Sequence, residues 1–574
     1  MRCHFSGTVE IGDFEGIAGG VNKLLGLPNG LYDSTIIDCV IGDCVLVKNV
    51  GFMRNARLDY CARVINCGVI DGSDDAELGT MALLNEGGGR QVPLSPHLTA
   101  AVAHVLCHYR HDEKLCKTLE SKLHYTLPKG CVIGQNTIVQ NCKKAVNVHF
   151  GVDNVIDGAE LLENGHIGWR NFIGAGVIAR NFVVQINSSV TDGAMLERTF
   201  VGQGCEIGKQ FSAVDSAFFS NCQGFHGEAC SLFAGPYTVT HHKSTLLIAC
   251  QTSFFNAGSA TNQSNHLYKL GPLHQGIMER GCKTASSSYV MWPGHIGAFS
   301  MVMGHHGKHL DTSALSFSYV LERDGKSYIM PGANLRSVGT WRDNDKWPKR
   351  DKRVPDYEDP LITDMLTPYT AQKILDAITV LEQLKAEVQG SEVHYKGCTI
   401  KMPALNSGLR LYRLALNRFV FDVLRSSAPS ADEPQGWGAW VDWAGLVMPQ
   451  SVADKVLDIM LNDNKSITDI NEALRDAAGR YKAFAHDWVM GYLAAMGVKP
   501  AEALKKAAAD ANELDKMILD DAQNDFADFT KIGYGIEGDS DSIAADFLAV
   551  RGAADDNGFL KQIRQQVEER LKFV

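Results

Sequence analysis

The chain has 574 residues, a formal net charge of −11 at pH 7 and hydrophobic residues at 45% of its positions. That length exceeds what one hydrophobic core ordinarily serves, so we expect two or more structural units. The acidic balance argues against a nucleic acid or an anionic membrane surface as partner, and no apolar run approaches the roughly 20 residues that span a bilayer.

The first residues, MRCHFSGTVEIGDF, lack a basic region followed by an apolar stretch, so we predict no signal peptide. The chain has 15 cysteines, and several of them occupy positions of a repeat that favour a small buried residue; these include Cys44, Cys131 and Cys205. Because nothing here predicts export, we expect reduced structural thiols in a cytoplasmic protein.

Apolar residues recur at every sixth position between Asp38 and Ile70. They are Val40, Leu46, Phe52, Leu58, Val64 and Ile70. Antiparallel strands would instead show a period of two and hairpin turns. In a solenoid, each short strand points one aliphatic side chain inward, and stacked turns bury a column that a single repeat cannot bury. The period therefore predicts a left-handed parallel β-helix built from hexapeptide repeats.

Residues 71–126 interrupt this period. A turn-rich stretch leads to Pro96, after which apolar residues follow helical spacing from His97 to about Leu123. We expect a loop-plus-helix insertion. Its histidines at 104, 108 and 111 share one helix face, which fits a solvated surface better than a metal site. The loop NEGGGR, with Arg90, offers backbone amides as a weak anion cradle.

The period returns after Leu127 and is marked by aliphatic residues followed by glycine. Such pairs are Ile133-Gly134, Ile167-Gly168, Ile173-Gly174, Val201-Gly202, Ile207-Gly208 and Ile296-Gly297. Glycine suits a corner because it is conformationally permissive. Residues 209–340 remain rich in glycine and in strand-like segments but lose the strict six-residue period. We expect solenoid turns there that carry functional loops. We assign residues 1–340 to the β-helix.

The chain changes character after residue 340. Residues 341–360 are polar and punctuated by proline, which favours a linker, although the basic run with Trp341 and Trp347 could instead contact phosphate. Residues 361–574 show helical apolar spacing and predict an all-α domain, in which we find no catalytic motif.

Histidines concentrate between residues 226 and 309, where nine of the 19 fall. The same window is rich in amides and cations, which suit a polar ligand better than packing. One hypothesis is acyl transfer with a neutral imidazole as general base. Its catalytic candidates are His241, His242 and His274, and its substrate-binding candidates are Asn262, Asn265, His266, Lys269, Arg280 and Arg90.

Two other chemistries remain open for this window. A zinc site would use imidazoles that lie close together in MGHHGKH, namely His305, His306 and His309. Alternatively, the same polar surface would bind a sugar, nucleotide or protein without turnover.

The hexads resemble the bacterial hexapeptide-repeat superfamily over roughly residues 1–340. The resemblance implies a homotrimer with active sites in clefts between neighbours, and a catalytic histidine facing such a cleft. Together with NEGGGR, HHKSTLLIA, NQSNHLYKLGPLHQG and PGANLRSVGTWRDNDKWPKRD, the arrangement is most similar to a long bacterial family of unassigned function with a helical C-terminal domain. The His pair of the gamma-class carbonic anhydrases, five residues apart, has no counterpart, which disfavours a metal-dependent hydrolyase.

We therefore expect a cytoplasmic acyltransferase-like protein that acts on a sugar or nucleotide sugar, with acetyl-CoA or another acyl-CoA as donor. A homo-oligomer, preferably a trimer, without nucleic-acid or membrane partners fits this hypothesis. The alternative is a non-catalytic ligand-binding or scaffold protein built on the β-helix.

Overall fold

A parallel β-solenoid forms the N-terminal part of the chain. The computed structural model describes residues 2–14, 21–22, 27–73, 76–264, 269–271, 275–354, 359–388, 390–426, 436–528 and 538–572. Strands on successive turns pair in parallel, for example Leu46 with Arg63 and Val155 with Phe172. This confirms the parallel β-helix.

The solenoid strands are short, and those after the insertion include seven-residue strands. Before the insertion they are His4–Ser6, Glu10–Ile11, Gly30–Tyr32, Thr35–Ile37, Val40–Ile41, Leu46–Lys48, Phe52–Arg54, Ala56–Leu58, Arg63–Ile65 and Val69–Asp71. After it they are Cys131–Ile133, Ile138–Gln140, Lys144–Phe150, Val155–Asp157, Leu161–Ile167, Phe172–Ile173, Ile178–Val184, Ser189–Val190, Met195–Val201, Glu206–Gly208, Ser212–Val214, Ala217–Phe218, Gln223–Phe225, Glu228–Cys230, Phe233–Ala234, Val239–Thr240, Leu246–Ile248, Cys250–Thr252, Asn256–Ala257, Asn262–Ser264, Gly276–Met278, Lys283–Thr284, Tyr289–Met291, Gly294–Ile296, Met301–Met303 and His305–His306.

The buried column repeats every 17 residues in the regular turns, as the paired inward residues Val47 and Val64 show. Three strict hexads would make a turn of 18 residues, one more than a regular turn contains. A period of six counted along the sequence therefore shifts by one residue per turn relative to the inward positions. The inward residues are Ile41, Val47, Met53, Leu58, Val64 and Ile70. The expected positions Leu58, Val64 and Ile70 are therefore confirmed. Those at Val40, Leu46 and Phe52 were displaced by one residue, and Val40 is 43% exposed.

Glycine at the corners is required by space. A Cβ on Gly168 would lie 2.3 Å from the backbone oxygen of Gln185, yet Gly168 does not have a left-handed φ. The left-handed corner positions are instead rich in asparagine, for example Asn147 at φ 54° and Asn164 at φ 50°. Their side chains form a ladder, in which Asn147 Nδ2 donates to Asn164 Oδ1 over 3.0 Å.

The insertion leaves the solenoid uninterrupted, because Arg63 pairs directly with Ile138 across it. It comprises a hairpin, Thr80–Ala82 and Gln91–Pro93, followed by helices α1 (Ala100–His108) and α2 (Glu113–Leu123). Thr99 caps α1 and Asp112 caps α2 through side-chain oxygens. The expected insertion is thus present, with two helices where one was expected.

The solenoid ends in antiparallel additions and gives way to helices. The strands Tyr319–Arg323 and Lys326–Met330 form a hairpin, extended by Glu392–Tyr395 and Cys398–Lys401, and a separate hairpin pairs Trp440–Trp443 with Leu446–Pro449. Short pairs also join Val21–Asn22 to Leu27–Pro28. Helical turns of the 3-10 type lie at Ala333–Arg336 and Ala554–Asp556.

The C-terminal part is α-helical, as expected. Its helices are α3 (Val338–Lys349), α4 (Pro368–Glu387), α5 (Met402–Arg425), α6 (Gln450–Leu461), α7 (Ile467–Gly479), α8 (Tyr481–Ala495), α9 (Pro500–Ala527), α10 (Ser540–Arg551) and α11 (Gly558–Leu571). Helix α3 occupies the first half of the segment 341–360, for which we expected a linker. Among the described residues, no helix combines the length and apolarity needed to cross a membrane.

The insertion, the solenoid and the helices pack against one another. Lys122 donates to the backbone oxygens of Asn462 and Lys465, and Asn471 Nδ2 donates to that of His97 over 3.0 Å. All 15 cysteines are free and most are buried, Cys44, Cys131 and Cys205 among them.

Candidate functional site

A polar cluster lies where α1, one face of the solenoid and α4 meet; we call its residues His108, Gln251, Glu279, His295 and Lys373 the central cluster. Gln251 pairs with Ile277, and Ile277 pairs with His295, so the solenoid members occupy successive turns of one face. Helix α1 contributes His108 through a hydrogen bond to Gln251. Helix α4 contributes Lys373 through Glu279.

Glu279 is the acceptor at the centre of this cluster. The Nε2–H of His295 and the Nζ of Lys373 both donate to Oε1, each over 2.8 Å. The hydroxyl of Tyr369, one turn before Lys373 on α4, donates to Oε2 over 3.2 Å. The other ring nitrogen of His295, Nδ1, has no hydrogen-bond partner in the described part of the chain and is free to accept a proton.

Electrostatics keep this carboxylate charged. Burial alone would raise the pKa of Glu279, but the hydrogen bond from His295 and the charge of Lys373 outweigh it and lower that pKa. Burial, with the Glu279 charge added to it, raises the pKa of Tyr369 well above its ordinary value. The cluster therefore contains an anionic carboxylate, a neutral phenol and an imidazole oriented by the carboxylate.

A second imidazole of α1, that of His104, lies beside His108 of the central cluster. The ring centroids of His104 and His108 are 4.3 Å apart. Gln251 bridges them, since its Nε2 donates to His104 Nδ1 over 3.1 Å and its Oε1 accepts from His108 Nε2. Burial lowers the pKa of both histidines, that of His104 strongly, so both are neutral at pH 7. The pair expected on a solvated face instead packs against the solenoid.

Arg90 holds the end of α1 in place. Its Nε donates to the backbone oxygen of Cys107 over 3.1 Å, and its Nη2 donates to Gln275 Oε1 over 2.8 Å. The NEGGGR loop around it is the turn of the insertion hairpin, since Thr80–Ala82 and Gln91–Pro93 pair on either side. Arg90 therefore connects the insertion to the turn that precedes Glu279.

Arg280, predicted to bind substrate, is fully buried and links the solenoid to the C-terminal part. Its Nη2 donates to the backbone oxygen of Ile362 over 2.5 Å, and its Nη1 lies 3.6 Å from Asp442 Oδ2. The guanidinium carbon also lies 4.9 Å from the centre of the Phe254 ring. These contacts leave Arg280 directed away from solvent.

His241 lies in a different place, a cleft between the solenoid and the end of α3. Its Nε2 is 2.8 Å from Gln223 Oε1, and its ring centroid is 5.2 Å from that of Phe225. Burial lowers its pKa, as do the neighbouring charges of His242, Lys209 and Arg350. The neighbouring His242 is exposed. Neither residue approaches Glu279 through any contact that we observe among the described residues.

The three candidate zinc ligands make separate contacts. The His305 ring stacks on Tyr289 with centroids 4.4 Å apart, and His309 Nδ1 lies 3.0 Å from the backbone oxygen of Pro293. The buried His306 uses Nδ1 with Ser327 and Nε2 with the backbone oxygen of Met303. No group of three or more His, Cys, Asp or Glu residues suited to a metal occurs within the described ranges.

The remaining candidates lie around the loop after the strand Asn262–Ser264. Asn262 is part of that strand, and Lys269 is exposed. Asn265, His266 and His274 lie outside the described residues.

Sequence reasoning missed Glu279, Tyr369 and Lys373 as site residues. A signal exists for α4, where Tyr369 and Lys373 are four residues apart and share one face of a helix whose buried residues include Ile374 and Ala377. No comparable signal marks Glu279, because its partners come from distant segments. His295 belonged to the His-rich window without being singled out.

A family model described as "Domain of unknown function (DUF4954)" matches residues 1–385, and one described as "Domain of unknown function (DUF6819)" matches residues 423–573. A comparison with curated proteins finds no match. The first region contains the solenoid, the insertion and every residue of the central cluster. The second lies within the C-terminal helices.

Proposed function

The chain belongs to the DUF4954 family, and from the Glu279–His295 pair we propose that it transfers an acyl group to a hydroxyl or amino group of a sugar or nucleotide sugar. The donor in this proposal is acetyl-CoA or another acyl-CoA. Two considerations support it: an imidazole oriented by a buried carboxylate is a suitable general base, and the hexads resemble those of the hexapeptide-repeat acyltransferases.

The proposed step begins with proton transfer. His295 Nδ1 accepts the proton of the substrate hydroxyl or amine as that group attacks the thioester carbon. Glu279 stabilises the resulting imidazolium, while Lys373 keeps the carboxylate anionic. The carbon–sulfur bond then breaks, and the imidazolium returns its proton to the thiolate. The products are an ester or amide and free CoA thiol.

The neutral imidazoles of His104 and His108 suit the acceptor side of such a reaction. A sugar offers hydroxyl groups that both donate and accept hydrogen bonds, and neutral groups can meet them without introducing a further charge. The free thiols of the chain fit our proposal that the reaction takes place in the reducing cytoplasm. A homotrimer, as in the family resemblance, remains part of the proposal.

The test begins with thermal-shift measurements of the full chain against acyl-CoA esters and nucleotide sugars, followed by a thiol-release assay with each stabilising pair. We expect thiol release that depends on the acceptor and falls about 10²- to 10⁴-fold in His295→Gln, the usual contribution of a general base. The matched control is His305→Gln, which changes an exposed histidine stacked on Tyr289.

Two outcomes would contradict the proposal. Binding of a nucleotide sugar without thiol release from any acyl-CoA would favour the non-catalytic ligand-binding alternative. Thiol release that is equal in His295→Gln and His305→Gln would remove His295 as the base.

A further inference from the structure

We infer that a second site, in the cleft beside His241, binds a nucleoside diphosphate group. This cleft has a volume of about 590 Å³ and lies between several solenoid corners and the segment 343–352. Such a volume is in the range of small-molecule sites. Among the described residues, none that lines this cleft belongs to the central cluster, so the inference does not rest on the proposed acyl transfer.

The rim of the cleft is basic, although the whole chain carries a net charge of −11. The lining cations are Lys283, Lys346, Lys349, Arg350 and Lys352, whereas the lining carboxylates are Asp343 and Asp351. Two further carboxylates pair with rim lysines from outside the lining, Asp345 with Lys349 and Glu206 with Lys352. The excess of positive charge that remains attracts an anion against the overall charge of the protein. A ligand with more than one phosphate charge fits it best.

The pairing inside the rim leaves positive charge available. Asp343 forms ion pairs with both Lys283 and Lys346, and its Oδ1 lies 3.4 Å from Lys346 Nζ. The Arg350 guanidinium makes no hydrogen bond or ion pair with any residue in the described part of the chain, and it is exposed at the end of α3. A guanidinium in this position can bind phosphate oxygens in a bidentate manner.

The floor of the cleft is aromatic. The Trp347 ring centroid lies 4.7 Å from that of Phe254 and 6.4 Å from that of Tyr237. The Tyr237 hydroxyl donates to the backbone oxygen of Trp347 over 2.8 Å, which fixes the indole relative to the solenoid. Tyr237 and Phe254 are buried, and the partly exposed Trp347 that they hold in place offers stacking to a planar base.

Amide groups complete the lining. Asn256 is exposed at the mouth of the cleft and can pair with the edge of a base. Asn221 is committed to the opposite wall, since its Nδ2 donates to Asp351 Oδ1 over 3.0 Å and its Oδ1 accepts from the backbone of Lys352. The cleft thus combines groups for phosphate, for a stacked ring and for a polar edge, the chemistry of a nucleoside diphosphate.

Isothermal titration calorimetry of the full chain with ADP, adenosine and pyrophosphate tests this inference. We expect saturable ADP binding that weakens with added salt, and weaker binding of adenosine and of pyrophosphate. Arg350→Gln should weaken ADP binding about tenfold or more, the usual effect of removing a charge-assisted hydrogen bond. Arg323→Gln is the control, because Arg323 is exposed and lies on a distant hairpin.

Absence of saturable ADP binding would overturn the inference, as would equal ADP affinities of Arg350→Gln and the unchanged protein. Pyrophosphate binding as tight as that of ADP would overturn the nucleoside part of the assignment. A His295→Gln variant should bind ADP normally, so failure of the acyl-transfer proposal and failure of this site are distinguishable.

Discussion

Glu279 and His295 occupy successive turns of the solenoid, and the Nε2–H of His295 donates to Glu279 Oε1 over 2.8 Å. The same oxygen accepts from Lys373 of α4, so one carboxylate links the solenoid to the C-terminal helices. Both the stability of the joint and the orientation of the imidazole depend on this group.

Glu279→Gln should therefore destabilise the protein by about 3 kcal/mol, because the mostly buried Lys373 loses its carboxylate. Adding Lys373→Met should recover much of that loss, since the unpaired charge is removed. Urea unfolding of both single variants and the double variant measures the coupling. Strictly additive effects of the two substitutions would contradict the described ion pair.

Arg280→Met should destabilise the protein by about 3–5 kcal/mol. It leaves Asp442 buried without its cation and removes the hydrogen bond to the backbone oxygen of Ile362. Arg323→Met, which changes an arginine with a 77% exposed side chain, should cost less than about 0.5 kcal/mol. Urea unfolding of the two variants decides the point, and similar losses in both would show that Arg280 does not hold the C-terminal part.

Asp359 should make the folded state less stable as the pH rises. Burial raises its pKa from 3.8 to about 6, so the folded state binds more protons than the unfolded chain between these values. Its Oδ1 accepts from the backbone of Ala100 in the first turn of α1, and its Oδ2 accepts from Ser220. Asp359→Asn keeps the shape without the charge.

Between about pH 4 and pH 7 the unchanged protein should therefore lose about 2 kcal/mol of stability that Asp359→Asn retains. Urea unfolding at a series of pH values measures this difference. Parallel pH profiles of the two proteins would mean that the carboxyl is not held neutral by burial.

His166 should act with the opposite sign. Burial lowers its pKa from 6.5 to about 3, and its Nδ1 lies 3.2 Å from that of His149. Because the unfolded chain takes up the proton first, stability is present above pH 6.5 and is lost as the pH falls towards 3. At pH 5 this loss is about 2 kcal/mol.

His166→Gln removes the titrating group and should abolish that part of the acid sensitivity. The same pH series of urea unfolding, compared with Asp359→Asn, separates two effects of opposite direction. An acid limb that is unchanged in His166→Gln would show that other groups carry it.

The solenoid could be predicted from the sequence because each turn requires apolar side chains at the same inward positions. Inward aliphatic residues such as Val64 and Ile70 recur with a period that survives even when each turn is one residue short of three hexads. The role of Gly168 was harder to predict, because its constraint is the approach of Gln185 from the next turn, which is not encoded in the conformation of one residue.

The site could be predicted less well, because it is a meeting of distant segments. His295 and Glu279 are 16 residues apart, but Lys373 is 94 residues from Glu279. Lys373 lies on α4, a helix that we predicted from the spacing of its apolar residues alone. Clustering of histidine in the sequence likewise did not indicate proximity, since His241, His305 and His306 face different surroundings.

The most direct measurement of the central claim is the acyl-transfer rate of the Glu279→Gln/Lys373→Met double variant. This variant should regain most of its stability and yet show a kcat lowered about 10²-fold or more, with KM nearly unchanged, because the imidazole has lost its orienting carboxylate. A double variant with normal stability and a kcat within about twofold of the unchanged protein would contradict the catalytic role of the Glu279–His295 pair.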